Sequence, residues 1–179
     1  APTGTISMLS GHTAGVHPVY ARYFVRRVRY AANDPAVERH IAAGRHVEDC
    51  VYTSDTKVVS FVCRDQILDD YPEELIEQAD ELDPWTMFAT QEFVQRQYAN
   101  NAVSFTVNIT PETKRSDLGN ALICSLKNLK GTTVMMDSSR PQAPFTRLNR
   151  QNYELMAATG TVSAGQAMPD CSTGACPVR

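Results

Sequence analysis

The chain has 179 residues, 42% of them hydrophobic, with 17 Lys and Arg against 20 Asp and Glu and a formal net charge of −3. That length is enough to bury one core, and the composition is that of a globular protein. The charge balance has no bias toward nucleic acid, and no apolar run approaches the roughly 20 residues of a membrane span, so neither nucleic acid nor a membrane is expected as a partner. Five cysteines is an odd number, and no secretory signal is visible, so a reducing, cytoplasmic setting is expected. Cys50, Cys63 and Cys124 lie in apolar or helical surroundings and are expected to be buried free thiols.

In chain order, residues 19–27 read as a helix or a helix-to-strand transition. Asp34 as N-cap and Pro35 at the first helical position predict a short helix over 35–43. Residues 58–63 read as a buried strand. Asp83 predicts the start of a helix over 84–99, where Trp85, Phe88, Ala89, Phe93 and Gln97 fall at helical spacing. Val103, Phe105, Val107 and Ile109 alternate, the period of a strand. A helix over 111–126 follows, with Thr110 as cap and Leu118, Ala121, Leu122 and Leu126 on one side. Residues 132–136 read as a strand and 153–158 as a last short helix. Pro141, Pro144 and Pro169 mark loops, and residues 163–173 are poor in large apolar groups and read as a tether. Alternating strands and helices imply an α/β unit with crossover connections.

Two segments carry candidate chemistry. The first is Pro2-Thr3-Gly4-Thr5-Ile6-Ser7, a tight loop whose backbone N–H groups and hydroxyls suit an anion, although such a motif taken alone is more often an ordinary helix cap. The second is Cys171-Ser-Thr-Gly-Ala-Cys176, two thiols on a short polar tether. The spacing leaves thiol–disulfide exchange and structural thiols both open. It is wide for a two-residue redox loop, and no second Cys or His pair completes a zinc set. Asp170 opposes formation of the Cys171 thiolate. Arg22, Arg26, Arg27 and Arg29 could add positive potential, but four arginines cannot all reach one site, and at least two are expected on a solvated face.

Residues 2–30, PTGTISMLSGHTAGVHPVYARYFVRRVRY, resemble the phosphate-binding segment of ribonucleotide reductases, in particular the monomeric, adenosylcobalamin-dependent ribonucleoside-triphosphate reductases. The shared features are His17-Pro18, the arginine-rich run from Arg22 to Arg29, and Asn33-Asp34-Pro35. The resemblance continues through VVSFVC (58–63), WTMFATQEFVQRQYANNAVSFTVNI (85–109), Gln151-Asn152-Tyr153-Glu154 and the terminal dithiol, and is weakest over 65–83.

The resemblance implies the C-terminal part of a ten-stranded α/β barrel over 1–162 and a flexible redox-active tail over 163–179. The family's Asn-Pro-Cys-Gly-Glu segment, with its radical cysteine and acid/base glutamate, does not occur here. The chain is therefore expected to be a C-terminal fragment, inactive alone, with the radical cysteine and the dNTP effector site encoded upstream. By the same resemblance, Pro2, Thr3, Gly4, Thr5 and Ser7 hold the phosphates of a ribonucleoside triphosphate. Cys171 and Cys176 reduce the active-site disulfide and are re-reduced by thioredoxin or a similar dithiol protein. Segments from Met8 to Cys63 and from Ser125 to Ala164 pack on the corrin of adenosylcobalamin.

The implied product is a 2′-deoxyribonucleoside triphosphate for DNA replication. No Asp-x-His-x-x-Gly motif is present, so His12, His17, His40 and His46 are poor candidates for cobalt ligation. His17 is expected to be a hydrogen-bonded structural group, and Met135 and Met136 to be core. The strand Gly131-Thr132-Thr133-Val134-Met135-Met136 stands where two-subunit reductases have adjacent tyrosines, which disfavours an oxygen-dependent large subunit. That large subunit remains one alternative, and a nonenzymatic nucleotide-binding module with a redox-regulated tail is another.

Overall fold

A computed structural model describes residues 15–137 and 139–158. Its elements are β1 (Tyr23–Ala31), α1 (Pro35–Ala42), β2 (Val47–Asp49), β3 (Thr56–Arg64), α2 (Ile67–Asp70), a 3-10 turn at Glu73–Leu75, α3 (Pro84–Gln97), β4 (Thr106–Ile109), α4 (Arg115–Ser125), a 3-10 turn at Leu126–Asn128, β5 (Thr133–Met136), β6 (Phe145–Leu148) and α5 (Arg150–Ala158). The described chain divides into two compact units, one combining residues 15–21 and 69–137, the other 22–68 and 139–158.

The second unit is built on a four-stranded sheet in the order β2-β3-β1-β6, with every pairing antiparallel. β1 and β3 pair along nine residues each, from Tyr23 opposite Arg64 to Ala31 opposite Thr56. Residues 19–27 are therefore not a helix that turns into a strand; the strand starts at Tyr23. Tyr23, Phe24, Val25, Val28 and Tyr30 suit a pleated surface, and long-range pairing with the Val58–Val62 run outweighs the local helical spacing. The arginines of β1 are not on a solvated face either. Arg26 is buried, Arg27 and Arg29 are half-buried, and so is Arg22 just before the strand. Arg27 Nη1 donates to Ala143 O at 3.1 Å and to Thr146 Oγ1 at 2.6 Å, and Arg29 Nη2 donates to Gln142 O at 3.2 Å.

Helix α1 starts as expected: Pro35 opens it, and Asp34 Oδ1 accepts from Ala36 N at 2.8 Å. Gly44, at φ +72°, follows its end, a conformation that glycine adopts without strain. β2 and β6 have three and four residues, too few for periodicity to reveal them.

The first unit holds the crossover. β4 and β5 pair in parallel, joined through α4. Its core is Ala79, Met87, Phe88, Phe105, Val107 and Ala121, with Leu82, Ile109, Leu118, Leu122 and Leu129 packed against it. Asp83 caps α3 as expected, its Oδ1 accepting from Thr86 N at 2.7 Å. The buried side of that helix differs from the expected stripe. Met87, Phe88, Gln91 and Gln95 are buried, whereas Trp85 is 45% and Phe93 67% exposed. The glutamines turn inward because their amides saturate backbone groups at the strand entrances, described below.

Helix α4 begins at Arg115, not at 111. Thr110 does not cap it; its N–H donates to Thr113 Oγ1 at 3.0 Å, and the turn is spent there. Leu126 leaves the helix for the 3-10 turn and is exposed. Met135 and Met136 are 45% and 46% exposed, so neither is core. Of the three cysteines expected to be buried only Cys63 is; Cys50 is half-buried and Cys124 exposed. Among the described residues the strands close no barrel, and no helix is long and apolar enough to cross a membrane.

Candidate functional site

Pro2, Thr3, Gly4, Thr5, Ser7, His12, Cys171 and Cys176 lie outside the described residues, as does the tether over 163–173. The two segments expected to face a corrin are described over 15–63 and over 125–137 and 139–158. The first supplies β1, β2 and β3, the second supplies β6, and β6 pairs with β1 from Tyr23 opposite Leu148 to Arg26 opposite Phe145. Two stretches separated by more than 60 residues therefore share one sheet.

The junction is tied again at its edge. Gln142, at φ +49°, accepts from Val51 N through Oε1 at 2.9 Å and donates through Nε2 to Asp49 O at 2.7 Å. Tyr52 OH donates to Pro141 O at 2.9 Å, and the Arg29 guanidinium lies 5.9 Å from the centre of the Tyr52 ring. Cys50 sits in this cluster. Burial disfavours its thiolate, but the backbone N–H groups of Tyr52 and Thr53 and the Arg29 guanidinium outweigh that, and its pKa is lowered. Arg26 is pushed down by burial, with Cys63 and Tyr30 opposing, and its guanidinium lies 5.9 Å from the Phe145 ring centre.

His17 and His40 are both held by their neighbours. His17 Nε2 accepts from Thr106 N at 2.9 Å, and its ring stacks on Phe105 at 4.9 Å, so the expected structural role holds. His40 lies 3.3 Å from Tyr30 OH through Nε2 and 2.9 Å from Arg45 Nη1 through Nδ1. Burial first, then Arg45 and Arg39, lower its pKa against the pull of Asp34. The unfolded chain therefore binds a proton that the folded one resists, and stability falls as pH drops below the ordinary histidine value of about 6.5. We expect the thermal midpoint of the protein to fall over that range, and the fall to be shallower in His40→Asn. A slope unchanged by the substitution would assign it elsewhere. Among the described residues no group of three or more His, Cys, Asp or Glu is arranged to hold a metal ion.

Sequence reasoning missed two polar groupings in the first unit. Gln91, fully buried, donates through Nε2 to Val103 O at 3.0 Å and Gly131 O at 2.7 Å, and accepts from Thr132 Oγ1 at 2.8 Å. It thereby ties the entrance of β4 to that of β5. Gln95 does the same locally, accepting from Val103 N and donating to Ala99 O and Asn101 O. At the opposite ends of the strands, Asn108 Nδ2 donates to Asp137 Oδ1 at 3.0 Å. The available signal was an amide at the third position after Phe88, inside an apolar stripe.

Parallel strands joined by a crossover helix in one unit, and an antiparallel sheet rich in arginine in the other, agree with the class implied by the opening motifs. A family model described as "Ribonucleotide reductase, barrel domain" matches residues 1–135, and the chain belongs to that family. It is 35% identical over its whole length to a putative adenosylcobalamin-dependent ribonucleoside-triphosphate reductase of Mycobacterium phage D29, covering 28% of that protein. It is 30% identical to the adenosylcobalamin-dependent ribonucleoside-triphosphate reductase of Levilactobacillus brevis, over 99% of this chain and 26% of that one. The enzyme of that name from Euglena gracilis is 33% identical over 86% of this chain and 21% of its own. A crystal structure of a B-12 dependent (class II) ribonucleotide reductase superposes with a TM-score of 0.68 at 27% identity, over 90% of this chain and 22% of that one. The chain spans about a quarter of the length of the curated relatives it matches.

Proposed function

We propose that this chain is part of an adenosylcobalamin-dependent reductase that converts ribonucleoside triphosphates to 2′-deoxyribonucleoside triphosphates. The observation that carries the reading is the match over the whole chain to reductases of that name, together with the superposition on a class II structure. It favours this reading over an oxygen-dependent large subunit and over a nonenzymatic module. Met135 and Met136 agree with it, since a thioether cannot relay a proton-coupled electron as a phenol does.

The chain's own residues take three parts. Pro2, Thr3, Gly4, Thr5 and Ser7 cradle the triphosphate with backbone N–H groups and hydroxyls, replacing its water with preorganised dipoles. The segments from Met8 to Cys63 and from Ser125 to Ala164 face the corrin. A large apolar ring with amide arms needs an apolar wall with backbone and amide partners. Exposed Ile41, Val51 and Tyr52 supply apolar surface in the unit built on the four-stranded sheet, and Gln142 and the backbone beside it supply the polar kind. His17 and His40 are held by other groups, which fits a cofactor that needs no histidine from the protein. When bound, adenosylcobalamin supplies the radical that activates the cysteine. Residues 163–179 form the redox arm: Cys171 and Cys176 give two electrons and two protons to the active-site disulfide, become a disulfide themselves, and are restored by thioredoxin or a similar dithiol protein. A deoxynucleoside triphosphate effector would bind elsewhere in the full protein. Turnover of the full-length protein with and without adenosylcobalamin tests the reading.

A further inference from the structure

Strand alternation gives the β4–β5 pair two unlike faces. Phe105, Val107 and Ile109 turn toward α3 and α4 and join the core. Thr106 and Asn108 on β4, with Thr133 and Met135 beside them on β5, turn the other way. No member of the core comes from that second face. The ladder continues one residue past β5, where Asp137 N donates to Ile109 O at 2.9 Å. Asn108 then reaches across to Asp137 Oδ1 at 3.0 Å, with both residues half-buried. This second face carries two hydroxyls, an amide and a carboxylate beside the Met135 thioether. The amide–carboxylate pair also stands at the carboxyl ends of parallel strands, where open α/β sheets take their ligands.

A carboxylate held in place by an amide offers acceptors to neighbouring hydroxyls, and the exposed thioether of Met135 offers a soft flank for a sugar or a base. We propose that Asp137 and Asn108 hold the ribose of a nucleoside through its hydroxyls, with Met135 against its side. The proposal rests on the reductase reading above. Two molecules in that reaction carry such a ribose: the substrate nucleotide and the adenosyl group of the cofactor.

The test uses the full-length protein and Asp137→Asn, which keeps the shape and removes the charge, with Asn108→Ala as a second variant. The probes are a ribonucleoside triphosphate, its 2′,3′-dideoxy counterpart, adenosylcobalamin and hydroxocobalamin. Loss of a hydrogen bond to a charged group is expected to weaken binding about tenfold or more. Weakening of the ribonucleotide but not its dideoxy counterpart assigns the ribose of the substrate. Weakening of adenosylcobalamin but not hydroxocobalamin assigns that of the adenosyl group. Unchanged affinity for all four probes overturns the proposal. So does equal weakening of all four accompanied by a lower thermal midpoint, which is the mark of a structural pair. A wild type that binds corrin and turns over, with variants that bind all four probes as tightly as it does, sinks this proposal only. A wild type that binds neither corrin nor triphosphate sinks the reductase reading and this proposal with it.

Discussion

Replacing Cys171 and Cys176 with Ser in the full-length protein is expected to abolish turnover driven by thioredoxin and to spare turnover driven by a small dithiol. Each reduction of a ribose leaves the reductase oxidised by two electrons, and a disulfide in an enclosed site must be reduced before the next cycle. A small dithiol diffuses in. A protein dithiol cannot, so its electrons need a carrier. Cys171 and Cys176 are suited to that: four residues including Gly174 separate them, and the stretch from 163 to 173 holds few large apolar groups to anchor it. The two assays separate carrier from catalyst, because thiols of the catalytic centre are needed whatever the reductant. Equal loss of both activities would refute the carrier role. Either single substitution is expected to behave as the double one, since half a dithiol can form a mixed disulfide but cannot resolve it.

Gln91→Ala is expected to be the most damaging change among the described residues, lowering stability by about 3–5 kcal/mol. Three hydrogen bonds converge on that amide, and the residue is fully buried. Truncation takes the shared partner from the carbonyls of Val103 and Gly131 and from the Thr132 hydroxyl, of which Val103 and Thr132 are half-buried and Gly131 is exposed. A buried acceptor stripped of its donor costs about 1–3 kcal/mol, and the vacated volume adds a packing loss beside Met87 and Phe88. Chemical denaturation of the full-length protein reads the effect. Phe93→Ala on the same helix serves as the control, because Phe93 is 67% exposed. If Gln91→Ala proved no worse than Phe93→Ala, the amide would not be what joins the strand entrances.

That contrast shows where the sequence was legible. Asp34-Pro35 and Asp83-Pro84 announce helices because a cap and a proline act locally, and both caps form the expected bonds. The parallel β4–β5 pair was legible from alternation in Val103 to Ile109 and from the crossover that follows. β1 was not, since its arginines and aromatics fit a helix locally and only pairing with β3 decides between them. β6 is four residues long, and its place beside β1 depends on chain more than a hundred residues away. The inward turn of Gln91 and Gln95 was hidden for a related reason. An amide in an apolar stripe has no meaning until the carbonyls that it serves are located. The family itself was legible from ordered motifs along the chain, and the match over residues 1–135 agrees.

The most direct test of the account is turnover of the full-length protein on a ribonucleoside triphosphate, in air and without added iron, with and without adenosylcobalamin. The account predicts deoxynucleotide formation only when adenosylcobalamin is added. Deoxynucleotide formation at the same rate without it would contradict the account.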